Sequence, residues 1–248
     1  MRDIDWLTAR PIAHRGLHDV SAGIIENTAT AFTAAIDHGY AIECDLQVSG
    51  DGEAMVHHDD SLGRLTEGTG ALASLSKAAL QAVRFRQCAD CILTLGDLCD
   101  LAAGRTPLVI ELKSRFDGDL RLVRRAAAVL AGYRGPAALM SFDPALIAWL
   151  RTNARALPRG ITAERHYTHA EWARLTVAQK FRLAHLLHAP VTRPHFVAYG
   201  VKDLPAPGAW VARHLFGLPL LTWTVRSMED RRRAAAYADQ IIFEGWQP

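Results

Sequence analysis

The stretch AIECDLQV, residues 41–48, decides how this chain is read. Its apolar content predicts a β-strand. Side chains two apart in a strand leave on one face, so Glu43 and Asp45 point the same way. Ile42 and Cys44 then take the other face, against helices. Two carboxylates in one confined space repel, and they need a cation, a shared proton or water beside them. Surface charges on an edge strand are the plainer alternative, which the apolar flanks make awkward. A divalent metal is the better reading.

A second stretch repeats the pattern. PLVIELK, residues 107–113, reads as an apolar strand ending in Glu111 and Lys113, again two apart and on one face. Glu111 offers a third carboxylate to the same metal, and Lys113 a positive charge beside it. An ion pair at a strand end is the alternative. Further strands are predicted at 11–14, 54–58, 137–142, 159–163, 195–199, 219–225 and 240–243. Helices are predicted at 119–131, 144–155, 169–187, 206–216 and 228–237. In NTATAFTAAIDHG, residues 27–39, apolar side chains recur at helical spacing at Ala29, Phe32, Ala35 and Ile36. Asn27 or Thr28 can cap that helix and Gly39 can end it. Several strands are apolar on both faces, as parallel strands under helices must be. Strand–helix alternation at this count predicts a parallel α/β barrel. Residues 50–106 break the alternation and read as an insertion within the barrel.

Composition bounds the function. The chain has 248 residues, 50% of them hydrophobic, which suits one large core and one domain over residues 1–248. Its 28 Lys and Arg nearly balance 26 Asp and Glu, and the formal charge of +2 carries no nucleic-acid or membrane footprint. Arg124–Arg125 and Arg231–Arg233 read as solvated helix faces. No stretch is apolar enough to span a bilayer. MRDIDWLTARP, residues 1–11, has no apolar centre and does not read as a secretory signal, so a cytoplasmic protein is expected. The four cysteines are expected to be thiols there. Cys88 and Cys91 form a C-x-x-C, but no second pair or histidine cluster completes a zinc set.

In a parallel barrel the active site lies at the carboxyl ends of the strands. PIAHRGLHD, residues 11–19, places His14, Arg15 and Gly16 just after a strand, and MVHHDDSL, residues 55–62, brings His57, His58, Asp59 and Asp60. Alternation puts His57 and His58 on opposite faces without saying which one faces the site. Three carboxylates suit Mg²⁺ or Ca²⁺ over zinc. Arg15 and Lys113 can hold a phosphate, and two histidines can supply an acid and a base. A hard cation, two cationic side chains and an acid–base pair point to phosphoryl transfer.

In order and spacing these motifs resemble the glycerophosphodiester phosphodiesterase family. They are H-R-G at 14–16, E-N-T at 26–28, E-x-D at 43–45, V-x-H-D at 56–59 with SLGRLTEGTG at 61–70, E-L-K at 111–113 and W-T-V at 223–225. The resemblance implies a TIM-type (β/α)8 barrel with a small insertion after the second strand. It implies metal-dependent hydrolysis of a glycerophosphodiester to sn-glycerol 3-phosphate and an alcohol. Glu43, Asp45 and Glu111 then match the metal ligands, with Mg²⁺ or Ca²⁺ as the expected cofactor. His14 and His58 match the acid–base pair, the motif register selecting His58 over His57. Arg15 and Lys113 match phosphate contacts, Glu26 an acidic residue in or near the metal shell, and Trp223 an aromatic pocket wall. The expected partner is the small-molecule substrate, with no nucleic acid and no stable membrane insertion.

Three positions depart from the family pattern. Ile25 stands where Pro is frequent, Leu65 where Thr is common, and the final IIFEGWQP replaces a Thr-Asp pair, with Glu244 in place of the Asp. Two rivals compete. A phospholipase D barrel of the sphingomyelinase type has a similar metal site but resembles secreted, disulfide-bonded proteins. A non-catalytic relative that only binds glycerophosphodiesters would be expected to lose a ligand or a histidine.

Overall fold

A computed structural model of the chain describes residues 4–169 and 172–248, which fall into two compact units. The first comprises residues 12–113 and 120–137. Its strands β1 (Ile12–Ala13), β2 (Ala41–Val48) and β6 (Leu108–Leu112) run parallel, with β2 paired to both others. The short β3 (Ala54–Val56) returns antiparallel along β2, and β4 (Ser61–Leu62) pairs with β5 (Gly70–Ala71) as a small ribbon. The predicted 41–48 strand is β2 to the residue, and its first six residues are buried. The decisive feature is register: Asp45 lies opposite Glu111, and Cys44 opposite Ile110. The i, i+2 rule and this pairing together put Glu43, Asp45 and Glu111 on one face of two adjacent strands.

Helix α1 (Ala29–Asp37) starts at Thr28, whose hydroxyl accepts from the Ala31 N–H, and buries Ala31, Phe32 and Ala35. The unit also contains α2 (Lys77–Gln81), α3 (Leu95–Ala102) and α4 (Arg121–Leu130). A reciprocal Thr94–Asp97 capping box starts α3. The 50–106 region packs Met55, Leu72, Leu80, Phe85 and Ile92 into one apolar cluster with Ile25.

The second unit comprises residues 4–11, 114–119 and 138–248. Strands β7 (Ala137–Ser141), β8 (Arg159–Ala163), β9 (Phe196–Gly200), β10 (Leu220–Val225) and β11 (Gln240–Phe243) pair in sequence, all parallel. Between them lie α5 (Pro144–Asn153), α6 (Val177–Ala184), α7 (Ala189–Thr192), α8 (Pro207–His214) and α9 (Met228–Tyr237). The helix expected over 169–187 is shorter. A Thr176–Gln179 capping box begins it, and the left-handed backbone of Leu186 (φ 56°) prevents its continuation. Residues 170–171 of that expectation lie outside the described residues. Along the chain the two units supply three and five parallel strands interspersed with helices, the element order of a (β/α)8 barrel. Among the described residues no helix is long and apolar enough to cross a membrane.

The turn after β1 depends on Gly16. Its φ is +81°, and a Cβ there would lie 2.9 Å from both the carbonyl carbon and the Cβ of Ala31. Gly39 has a similar φ of +74° but nothing within 4 Å of its virtual Cβ. Gly16→Ala is therefore expected to cost about 2–4 kcal/mol and Gly39→Ala about 1 kcal/mol, compared by urea unfolding. Equal losses would show that the approach to Ala31 is not a constraint.

Candidate active site

Glu43 and Asp45 are each 1% exposed and Glu111 8%. One carboxylate oxygen from each lies within 4.8 Å of the other two. Such a group is held only if cations and donors face it. Lys113 Nζ lies 2.9 Å from Asp45 Oδ1 and 2.8 Å from Glu111 Oε1. The Arg15 backbone N–H donates to Glu43 Oε2 at 3.0 Å, and its Nη1 donates to Glu26 Oε1 at 2.7 Å. Arg15 Nε lies 3.2 Å from Asp45 Oδ2, an ion pair without hydrogen-bond alignment. Asn27 completes the set: its Nδ2 donates to Asp45 Oδ2 at 3.0 Å, and its Oδ1 accepts from the Asp45 N–H at 3.3 Å. Arg15 and Asn27 both have left-handed backbones, φ 56° and 58°, and the Asn27 N–H donates to the Arg15 carbonyl. Two non-glycine residues in this region mark strain held beside the carboxylates.

The electrostatics divide the three acids. Burial and repulsion from Asp45 and Glu111 push the Glu43 carboxyl well above its usual range, and burial also raises Glu111. Burial opposes ionisation of Asp45 too, yet Lys113 and Arg15 hold it well below that range. Burial would likewise discharge Lys113, but Asp45 and Glu111 keep it firmly protonated.

His14 follows β1 and is buried, with Nε2 3.9 Å from Glu43 Oε2. His57 is buried, which lowers its pKa, and its backbone N–H donates to the Asp45 carbonyl. His58 Nδ1 lies 2.8 Å from Asp59 Oδ1. Asp59 also accepts from Arg64 Nη2 at 3.0 Å, and the same nitrogen donates to Glu26 Oε1 at 2.7 Å. Burial opposes ionisation of Asp59, but the bonds from His58 and Arg64 keep it ionised. A carboxylate at Nδ1 favours the tautomer that carries the ring proton there.

Eight of the nine sequence-predicted residues, His14, Arg15, Glu26, Glu43, Asp45, His58, Glu111 and Lys113, thus lie in the first unit, joined by a network of ion pairs and hydrogen bonds. Glu26 bridges Arg15 and Arg64. Trp223 lies in the second unit, edge-on to Phe142 at 5.5 Å beside Tyr167 and Trp172, and its indole N–H has no partner. Cys88 and Cys91 are free thiols. Sequence reasoning assigned no site role to Asn27, Asp59 or Arg64. Asn27 and Thr28 were alternative caps, and Thr28 fills that role. The aspartate of V-x-H-D was the signal for Asp59.

Five carboxyl groups (Glu26, Glu43, Asp45, Asp59 and Glu111) face three cations (Arg15, Arg64 and Lys113), so the acids outnumber the cations by two. Oxygen-only donors with acids in surplus fit one hard divalent cation.

The profile of the glycerophosphoryl diester phosphodiesterase family matches residues 14–243. The glycerophosphodiester phosphodiesterase of Caldanaerobacter subterraneus is 33% identical over 111 residues, 42% of this chain. That match spans 44% of the relative, less than half its length. The glycerophosphodiester phosphodiesterase of Thermotoga maritima is similar in structure, with a TM-score of 0.69 and 22% identity over 94% of this chain and 92% of that one. A phosphodiesterase of Oleispira antarctica in complex with the product sn-glycerol-3-phosphate gives a TM-score of 0.73 at 20% identity, covering 94% and 91%. These likenesses show the fold, a TIM-type barrel.

The raised Glu43 carboxyl has a consequence for stability. A carboxyl raised on folding stabilises only below its unfolded value and costs stability as pH rises through the folded one. At neutral pH without divalent cations, Glu43→Gln is expected to melt no lower than wild type. Saturating Mg²⁺ or Ca²⁺ should stabilise wild type by about 2.7 kcal/mol at a hundredfold excess over Kd, and Glu43→Gln should lose most of that gain. Thermal melts with cation and with EDTA check this; equal gains in both proteins would exclude Glu43 as a ligand.

Proposed function

Because the chain belongs to the glycerophosphoryl diester phosphodiesterase family, we propose that it is a phosphoric diester hydrolase, acting as one catalytic domain over residues 1–248. It cleaves a glycerophosphodiester to sn-glycerol 3-phosphate and an alcohol. The observation that carries this reading is the buried Glu43–Asp45–Glu111 group with Lys113 and Arg15 against it. The glycerol 3-phosphate bound to the Oleispira antarctica enzyme supports the product.

Glu43, Asp45 and Glu111 would hold one divalent cation, Mg²⁺ or Ca²⁺. When bound, it supplies Lewis-acid charge neutralisation at a phosphate oxygen. Lys113 has three N–H donors and uses two on Asp45 and Glu111, so the third is left for phosphate. The Arg15 guanidinium likewise keeps donor capacity beyond Glu26 and Asp45. His14 takes a proton from the attacking water, whose oxygen bonds to phosphorus. The phosphorus–oxygen bond to the alcohol breaks with its electron pair, and His58 Nε2 protonates the departing oxygen. Exchange with solvent resets both imidazoles. The Asp59 carboxylate at Nδ1 fixes the orientation of the His58 ring. Glu26 and Arg64 orient Arg15 and Asp59. Trp223 is assigned to the substrate on the W-T-V match, and its unpartnered indole N–H is consistent with that. A cytoplasmic setting belongs to the same proposal, from the sequence alone.

A coupled assay for glycerol 3-phosphate tests this, with glycerophosphocholine and glycerophosphoethanolamine as substrates. Release should require Mg²⁺ or Ca²⁺ and stop with EDTA. His14→Ala and His58→Ala should each lower kcat by about 10²–10⁴-fold. Asp59→Asn should lower kcat by about 10²-fold with little change in KM. Release that ignores EDTA, or near-normal turnover in either histidine variant, would overturn the assignment concerned.

A further inference from the structure

The second unit contains a cavity of about 850 Å³ between β8, β9 and the segments carrying α6, α7 and α8. Ile161 and Val197, paired on adjacent strands, form part of its wall, with Leu186, Val211, Ala212 and Leu218. Loose docking of α8 does not explain this space. At Gly208 a Cβ would lie 2.9 Å from the His185 carbonyl oxygen, so the helix already sits hard against the chain there.

Two polar features interrupt the apolar wall. His188 lines the cavity, is 7% exposed, and has no hydrogen-bond partner at either ring nitrogen. A buried imidazole without partners is unfavourable unless something else supplies them. Burial lowers its pKa to about 4, so it offers one donor and one acceptor at neutral pH. Arg193 also lines the cavity, is exposed, and pairs with no carboxylate among the described residues. At the mouth stand Phe181, 57% exposed, and Phe216, 73% exposed. Apolar walls with a few convergent polar groups are the signature of a small-molecule site.

Charge selects the ligand. Arg193 is the one permanent cation among the described residues that line the cavity, and no carboxylate is among them. A second copy of this chain packed on the same lining would bring no carboxylate to pair with Arg193, which disfavours self-association. An anion is favoured. We propose that this cavity binds a single-chain anionic amphiphile, its aliphatic chain between β8, β9 and α8 and its head group held by Arg193 and the His188 imidazole. The site is independent of the phosphodiesterase reading.

Calorimetric titration of the full chain, below the micelle concentration, tests this with dodecanoate, dodecyl phosphate, dodecanol and dodecyltrimethylammonium. Saturable binding of dodecanoate or dodecyl phosphate, one per chain, is expected, and the tighter of the two identifies a carboxylate or a phosphate head. Val211→Trp, which fills the cavity from a half-buried position, should weaken it by about tenfold or more. Arg193→Gln should weaken the anions but not dodecanol. The His188 ring resonance, assigned by its loss in His188→Leu, should shift on binding to wild type and decides the matter if Val211→Trp does not fold. No saturable binding, equal binding of the cationic amphiphile, or an unmoved His188 resonance would overturn the proposal. So would a sedimenting dimer that Phe216→Ser dissociates.

Discussion

The site depends on one electrostatic constraint: three carboxylates buried on one face of two neighbouring strands. Burial alone would drive all three to their neutral forms. Lys113, reaching both Asp45 and Glu111, prevents that for Asp45 and leaves Glu43 as the acid with the strongest tendency to protonate. The same lysine comes from the strand end that supplies Glu111. The β2–β6 register therefore places both the charge and part of its compensation. On the proposed function, a divalent cation would complete what Lys113 and Arg15 begin.

Around that centre the chain spends several unusual features on positioning. Arg15 and Asn27 take left-handed backbones, Gly16 closes on Ala31, and Asn27 fastens Asp45 from two directions. The 50–106 region adds Arg64, which ties Asp59 to Glu26 and so couples the His58 side of the site to Arg15. That region packs one apolar cluster with Ile25. An arginine rooted in it can therefore hold a fixed place relative to the strands.

Much of this was legible in the sequence, for identifiable reasons. Period-two alternation in AIECDLQV placed Glu43 and Asp45 together, and long apolar runs marked the remaining parallel strands. The pairing of Asp45 with Glu111 was not legible from alternation, because register between strands more than sixty residues apart is set by tertiary packing. Asn27 read as a helix cap because Asn and Thr are both good caps; only the fold shows Thr28 capping and Asn27 turned to Asp45. The 169–187 helix was overextended because apolar spacing continues through Leu186 and Leu187. A capping box and one left-handed residue set its actual limits. The unpartnered state of His188 had no sequence signal, since a histidine in an apolar run reads the same whether or not its nitrogens find partners.

The central claim is that Glu43, Asp45 and Glu111 hold a single hard divalent cation. Titration of the purified chain with Mn²⁺, followed by electron paramagnetic resonance of the free ion, tests it most directly. One Mn²⁺ per chain, displaced by Mg²⁺ or Ca²⁺ and lost in Glu111→Gln, is the expected result. No bound Mn²⁺ in wild type, or binding unchanged in Glu111→Gln, would show that the three carboxylates are neutralised by Lys113, Arg15 and protons alone.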